Sequence, residues 1–532
     1  MATIGNNDQE RCLINKLPVE VISRIFEAYV GQTAISTSFC DAPIVLAIGA
    51  VCRLWRNVAW STPSLWTVLY FVLTSGTTKT KVDLAIEWIT RSGNLPLEIY
   101  IMAVICYPKI NTEPLIFPLV DIINQHLGRC RVLDLNQLTS MTMSRFSAIE
   151  GPSLLEDLYI HPEDMDGPLT LGENASPTRL NITYVHLHLL IMNWRNLTEI
   201  SAHGLRMSEI MDTLRLAPQL RICYYNCIES DSTSTTAGES TYQTHLKIEE
   251  LTLVIGGEHG GDSNVAAFFR QTTFPNLDSC HIGWEHGTFP TQTFTSFISR
   301  SACAITMLTI QYNLITSDDL IRIGKALLSV EYLSITPFHN TRYNGIMANP
   351  HVHLDGFFTA LCQGSRSKDS ILFPSLCDLD IISHNAFNWK LLLILCDSRR
   401  HNPPQLTTST TEHISQTRIG TITITRVVYA TDRTVIDHSL HASDESDVKF
   451  LPGDLIESWE TFKDLLELGK NVRLNLSVDN ADNNPADLFD LSYRKLCGTS
   501  GGPPDVIRQN EMFEIWRLQN AGVDQDTCTL SV

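Results

Sequence analysis

The chain has 532 residues, more than one compact core usually holds, so it should divide into several units or form one elongated repeat array. Hydrophobic residues make up 43% of it and charged residues 18%, which is enough apolar material for a folded protein and too little charge for a disordered one. The formal net charge of −19 argues against nucleic acid as a partner, because a phosphate backbone would be repelled.

Apolar runs in the chain are short. The longest, such as 44–52 and 99–107, reach about half the length of a membrane-crossing helix, so we expect no membrane span. The first ten residues have neither the basic start nor the apolar core of a secretory signal peptide. The 14 cysteines lie at irregular intervals, several of them in strand-like runs, which favours reduced core thiols. We therefore expect an intracellular protein, cytoplasmic and/or nuclear.

Two amphipathic helices are predicted near the N-terminus. In the first, over 17–30, the apolar residues share one stripe, and Pro18 suits the first turn. Gly31 is the expected C-cap of this helix, and a polar loop over 32–41 follows. A second helix is predicted over 44–59, where apolar residues again recur every three to four positions, and a turn follows at 61–66.

These segments predict a module of roughly three short helices, with a core too small to be stable alone. Such a module would gain stability by burying its remaining apolar surface against a partner. Periodicity alone equally allows that all of these residues pack one helical domain.

The residues that carry a family resemblance are Leu17-Pro18, Ile25-Phe26, Val51-Cys52-Arg53-x-Trp55-Arg56, Ala59 and Pro63-x-Leu65-Trp66. In this order they resemble the F-box, in the form common in fungal F-box families. The resemblance implies an F-box over 13–70 that binds a Skp-type adaptor and, through it, cullin and RING subunits. It assigns adaptor binding or its support to Leu17, Pro18, Val21, Ile22, Ile25, Phe26, Val51, Cys52, Trp55, Pro63, Leu65 and Trp66.

The resemblance extends past the helical module. The loop over 31–42 is longer than in a compact F-box, which a surface loop tolerates at little entropic cost. A predicted helix over 81–91, an Arg-Ser-Gly turn and a strand over 98–101 are similar to the segment that follows the F-box in the same proteins. We expect a linker helix and first strand over 71–105.

Downstream, one spacing keeps returning: apolar, two others, apolar, one other, apolar. Most neighbouring copies start about 22 to 30 residues apart, the period of leucine-rich repeats. Each copy predicts a short strand that cannot bury its own apolar side, so that stacking is required. The copies lie at 130–135, 155–160, 197–202, 220–225, 248–253, 277–282, 305–310, 330–335 and 376–381.

These features predict an α/β protein, with a three-helix F-box followed by an irregular leucine-rich-repeat-like α/β solenoid over 106–480. Strict repeats place Asn or Cys after the strand, and only Asn313 clearly fills that place, so the array is irregular. Separate α/β domains with parallel sheets are the alternative.

Further elements are predicted by the same reasoning. Helices are expected at 208–216, 317–328 and 459–468, strands at 419–429 and 472–478, and a loop at 230–244. Residues 481–532 are expected to form a polar C-terminal tail with one short helix over 511–518.

Residue patterns for chemistry are weak. His186-x-His188 lacks a neighbouring carboxylate or Cys in the sequence, and the Cys223, Cys227 pair lacks a second pair, so neither predicts a metal site. Glycines at 256–261 follow a strand without a phosphate-binding spacing. We therefore expect no catalytic residue, cofactor or metal.

The expected function is a substrate receptor of an SCF-type (Skp-cullin-F-box) ubiquitin ligase. The F-box would dock on the adaptor, the repeat region would bind an unknown protein target, and other subunits would transfer ubiquitin while this chain supplies proximity. A non-ligase interaction scaffold that uses the same two surfaces is one alternative. An enzyme with a catalytic α/β domain in place of the repeats is the other.

Overall fold

A computed structural model describes residues 17–33, 44–104, 113–229, 243–255, 261–284, 289–312, 315–337, 354–363, 372–383, 389–400, 419, 421–427, 455–456, 458–469, 472–479, 485–500, 504 and 507. The chain forms two compact units, Met1–Tyr225 and Asn226–Val532, which we call the N-terminal and C-terminal units. Across these described ranges, no helix combines the length and the apolar character needed to span a membrane.

The N-terminal unit begins with the helical module. It consists of α1 (Val19–Thr33), α2 (Ile44–Val51), α3 (Arg53–Ser61) and a 3-10 turn over Pro63–Trp66. The helix expected over 44–59 is two helices, because the backbone of Cys52 is extended and its Sγ accepts a hydrogen bond from the Trp55 N–H at 3.5 Å. Gly31, the expected C-cap, lies inside α1. Residues 34–43, most of the predicted loop, are outside the described ranges.

A parallel sheet follows in the same unit. Strands β1, β2, β3, β4, β6 and β8 pair side by side in that order, and β5 pairs with β7 in a small separate sheet. The elements are β1 (Val68–Leu73), α4 (Lys79–Arg91), β2 (Leu97–Ala103), α5 (Phe117–His126), β3 (Cys130–Asn136), α6 (Ser140–Met143), β4 (Asp157–His161), β5 (Leu169–Gly172), β6 (Arg179–Thr183), β7 (Leu190–Met192), β8 (Glu199–His203), α7 (Met207–Leu216) and β9 (Ile222–Ile228), the last of which continues past Tyr225.

The C-terminal unit alternates strands and helices. Its elements are β10 (Gln243–Thr244), β11 (Glu250–Ile255), α8 (Gly261–Gln271), β12 (Thr272–Thr273), β13 (Ser279–Trp284), α9 (Thr291–Ser301), β14 (Met307–Tyr312), α10 (Ser317–Ala326), β15 (Tyr332–Pro337), α11 (Asp355–Gln363), β16 (Asp378–Ser383), α12 (Trp389–Arg400), β17 (Thr421–Val427), α13 (Trp459–Gly469), β18 (Arg473–Asp479), β19 (Pro485–Asp487) and α14 (Leu488–Ser500). From β11 onward each large strand pairs in parallel with the next one along the chain, and β18 pairs antiparallel with β19. Helices supply the crossovers that parallel strands need.

The predicted apolar copies coincide with strands. Each copy overlaps one of β3, β4, β8, β9, β11, β13, β14, β15 or β16, and its three apolar side chains are buried. The copies also align in register, so that Leu308 of β14 lies between Cys280 of β13 and Leu333 of β15. Rows of apolar side chains thus form the core side of each sheet. Strand β6 was not predicted, because its segment has Pro177 in place of the first large apolar residue of the spacing.

Residues 485–500 differ from the expected polar tail. Strand β19 pairs with β18, and α14 buries Leu488, Phe489, Leu496 and Cys497. In addition, Ser492 Oγ accepts a hydrogen bond from the Ile456 N–H at 3.0 Å. These residues therefore pack into the C-terminal unit. The helix expected over 511–518 and residues 230–242 of the expected loop lie outside the described ranges.

The register predicts where the core is sensitive. Leu308 is fully buried. The substitution Leu308→Ala should therefore lower the free energy of unfolding by about 3 kcal/mol, because it opens a cavity between two neighbouring strands. Met307 is 48% exposed on the other side of the same strand, so Met307→Ala should cost less than about 1 kcal/mol. Urea unfolding followed by circular dichroism measures both variants. Equal losses would contradict the assignment of the two sides of β14.

Candidate protein-docking site

The core of the helical module uses one side of α1. Ile22 and Phe26 are 0% and 2% exposed, and the Phe26 ring lies 5.0 Å from the Trp55 ring, centroid to centroid. Val45, Ile48 and Val58 complete this small core. One apolar stripe of α1 thus packs into the core of the module.

Side-chain hydrogen bonds fix α1 against the end of α3. Thr62 Oγ1 donates to the Val58 carbonyl oxygen at 2.7 Å and lies 3.0 Å from Ser23 Oγ. Ser64 Oγ donates to Glu27 Oε1 at 2.5 Å. Because both of these α1 residues are tied to the same short segment, the helix has a defined rotation about its axis.

Aromatic contacts join the module to the sheet of its unit. The Trp66 indole N–H donates to the Ala59 carbonyl oxygen at 2.8 Å, and the Trp66 ring meets the Trp88 ring edge to face at 4.6 Å. Trp88 in turn donates to the carbonyl oxygen of Val68 in β1 at 3.0 Å. The Arg91 guanidinium lies over the Trp60 ring at 4.7 Å and over the Trp66 ring at 5.3 Å. The module is therefore anchored, which leaves its other apolar surface in a fixed place.

A second apolar stripe of α1 faces solvent. It consists of Leu17 just before the helix, Val21, Ile25 and Tyr29, at four-residue intervals, and their exposed fractions are 38%, 43%, 43% and 53%. Residues four apart are neighbours on a helix, so these side chains form one continuous surface. We call it the docking stripe. A contiguous exposed apolar surface on so small a module is typical of a protein interaction site.

Charged residues border the docking stripe. Glu20 and Arg24 are exposed, and Arg24 Nη1 pairs with Glu27 Oε2 at 3.0 Å. Val51, at the end of α2, is a further exposed apolar side chain of the module, at 61%. An apolar centre with a polar rim is the usual anatomy of an interface between proteins.

The predicted adaptor-binding residues separate into three sets by exposure. Leu17, Pro18, Val21, Ile25, Val51 and Pro63 are exposed, Cys52 and Trp55 are half-buried, and Ile22, Phe26, Leu65 and Trp66 are buried. Ile22 and Phe26 were expected to face the adaptor, but their side chains are buried in the core of the module. Each follows a docking-stripe residue by one position, about 100° around the helix, and points into the module. Tyr29 joins the stripe; its four-residue spacing from Ile25 is the signal that marks it.

The residues of the histidine pattern make side-chain contacts, and Cys223 of the cysteine pattern is buried. The His186 and His188 rings stack at 5.7 Å, and Glu209 Oε1 lies 3.2 Å from His186 Nδ1 while it accepts a hydrogen bond from the Leu187 N–H at 3.0 Å. Cys223 is buried, and burial raises the pKa of its thiol to about 12. In the part of the chain that the structure describes, no group of three or more His, Cys, Asp or Glu residues could hold a metal ion.

Comparison with known families agrees with this geometry. Residues 14–72 match the F-box-like domain, so the chain carries an F-box-like domain at its helical module. The match agrees closely with the range 13–70 expected from the residue pattern. F-box proteins are typically non-catalytic adaptors, and the domain implies binding to a Skp-type adaptor. The comparison with curated proteins finds no match for this chain.

Substitutions in the two stripes of α1 should differ in size of effect on stability. Phe26→Ala should lower the free energy of unfolding of the module by about 3 to 4 kcal/mol, because it empties the core beside Trp55. Val21→Ala should change it by less than about 1 kcal/mol, because its side chain is exposed. Thermal unfolding followed by tryptophan fluorescence compares the variants. A large loss in Val21→Ala would show that the docking stripe belongs to the core.

Proposed function

We propose that this protein is a substrate-receptor subunit of an SCF-type ubiquitin ligase. In this role, the F-box-like domain docks on a Skp-type adaptor, and the parallel α/β region binds the protein to be ubiquitinated. The observation that carries the proposal is the docking stripe, an exposed apolar surface on a module that matches the F-box-like domain.

The rigid attachment of the module supports a receptor role. Ubiquitin transfer by other subunits requires that the target be held at a defined distance and orientation. Trp66 and Trp88 tie the module to β1, so an adaptor bound at the docking stripe has a fixed relation to the first strands of the sheet. A receptor needs no catalytic residue of its own for this task.

The α/β region supports target binding as a leucine-rich-repeat-like array. Strands with the same apolar spacing pair in register with their neighbours along the chain, and the alternate side chains remain half-exposed on the opposite side of the sheet. Repeated strands of this kind offer many adjacent side chains to a partner. Those side chains determine which target binds, and no sequence motif identifies the target.

Adaptor docking is tested by copurification of the full chain with a Skp-type adaptor. Ile25→Asp should weaken binding at least about 10-fold, because it places a charge in the centre of an apolar interface. The matched control is Ile191→Asp in β7, since Ile191 is 44% exposed and Ile25 is 43% exposed. The control should bind the adaptor like the unaltered chain. Circular dichroism checks that both variants are folded.

The results separate the competing functions. Retained adaptor binding in Ile25→Asp would overturn docking through this stripe. Adaptor binding without cullin-dependent turnover of any copurifying protein would favour an interaction scaffold over a ligase receptor. Turnover that is lost in Ile25→Asp and kept in Ile191→Asp is the result that the proposal expects.

A further inference from the structure

One row of side chains on the half-exposed side of the N-terminal sheet is unusual in composition. Tyr70 of β1, Tyr100 of β2, Asp134 of β3 and Tyr159 of β4 are direct register partners, each beside the next. Their neighbours in the strands, such as Ile99, Leu133 and Leu158, point to the core side and are buried. We call these four residues the tyrosine–aspartate row.

The row has a defined geometry. The Tyr70 and Tyr100 rings stack at 4.5 Å with an interplanar angle of 17°, and Tyr70 remains 43% exposed. Adjacent strands lie about 4.8 Å apart, so the backbones of Tyr100 and Tyr159 flank that of Asp134 and are about 10 Å from each other. A planar group can therefore lie over the Asp134 carboxylate with an aromatic ring on either side.

Unlike its neighbours Glu98 and Asp157, Asp134 forms no ion pair within the part of the chain that the structure describes. Glu98 forms an ion pair with Arg131, and Asp157 Oδ2 accepts a hydrogen bond from Arg179 Nη2 at 2.6 Å. Asp134 Oδ1 is buried and has no hydrogen-bond donor among the described residues. Burial is the cause that raises the pKa of Asp134 to about 6. A charge left in this state is stabilised by any cation that reaches it.

We propose that the tyrosine–aspartate row binds an arginine side chain of a target polypeptide. A guanidinium is planar, stacks on aromatic rings and donates hydrogen bonds to a carboxylate, so it fits rings and carboxylate at once. An ammonium group satisfies only the charge. The net charge of −19 attracts basic segments generally, and the row fixes one arginine within them. This inference rests on the proposed function, since it names the chemistry by which the receptor holds its target.

The test uses the full chain and a phage-displayed library of random 12-residue peptides. Peptides selected by the unaltered chain should share an arginine, and their synthetic forms should lose at least 10-fold in affinity when that arginine is replaced by citrulline, its neutral analogue. Asp134→Asn should reduce binding of the same peptides to a similar extent. The matched control is Asn181→Ala, which alters the next register partner of Tyr159 and should keep the affinity.

The inference would be overturned by no selection above background, by selected peptides without a shared arginine, or by equal affinity of arginine peptides for the unaltered chain and Asp134→Asn. Failure of adaptor docking is a separate outcome: Asp134→Asn should still copurify with the adaptor, and Ile25→Asp should still select arginine peptides. A surface that is merely acidic would bind lysine peptides as well as arginine peptides, which also contradicts the inference.

The affinity should depend on pH. Because the pKa of Asp134 is raised to about 6, the carboxylate is charged above that pH and neutral below it, so affinity for an arginine peptide should fall as pH drops from 8 to 5. Burial lowers the pKa of nearby His161, whose protonation would weaken binding in the same direction at the acidic end. The charged and titratable groups on the strands beside Asp134 include Tyr70, Glu98, Tyr100, Arg131, Asp157, Tyr159, His161 and Arg179, and the charges of Glu156 and Glu199 act on Arg131 and Tyr159 respectively.

Fluorescence anisotropy of a labelled selected peptide measures the pH profile. Asp134→Asn should have both weaker binding and a much flatter profile between pH 7 and 5. A profile that is equally steep in Asp134→Asn would assign the dependence to another group and contradict the role of this carboxylate.

Discussion

Helix α1 carries two apolar stripes, and the small core of the helical module has room for only one of them. Ile22 and Phe26 fill that core, where the Phe26 ring lies against the Trp55 ring, so Val21 and Ile25, one position earlier in each case, face solvent. The rotation of the helix is held by Ser23 and Glu27, which are tied to the segment that follows α3. Exposed apolar area is thus a consequence of how the module folds. Covering it with a partner would recover the free energy that an isolated module of this size lacks.

The parallel sheets follow from a similar restriction on side-chain placement. Successive side chains of a strand point to opposite sides, so the recurring apolar spacing commits one side of every strand to the core and leaves the other side for polar and aromatic residues. Because the strands pair in register, residues that are distant in sequence become neighbours in rows across the sheet. Tyr100, Asp134 and Tyr159 come from three segments of the chain and become immediate neighbours in this way. The N-terminal unit therefore has an exposed docking stripe on its helical module and the tyrosine–aspartate row on its sheet.

Much of this fold could be predicted from the sequence, because the features involved are local. Six-residue apolar spacings mark the strands, and a run of apolar residues at helical intervals marks α1, α7, α10 and α13. Two features depend on details that periodicity does not carry. The break at Cys52 is a backbone conformation, and the burial of Ile22 rather than Val21 depends on how α1 is rotated against the segment that follows α3. The buried apolar residues of α14, Leu488, Phe489, Leu496 and Cys497, recur at helical intervals, so periodicity could have predicted this helix; the polar residues on either side of it obscure the pattern. The tyrosine–aspartate row is invisible in the sequence, since only strand register brings its members together.

The assignment of the two α1 stripes is tested most directly by site-specific photocrosslinking. A photoreactive amino acid is placed at Val21 or, as a control of similar exposure, at Ile191, and the full chain is irradiated together with a Skp-type adaptor. If the docking stripe binds the adaptor, position 21 should crosslink to the adaptor and position 191 should not. Adaptor that copurifies with the chain but crosslinks equally from both positions, or from position 191 alone, would contradict it.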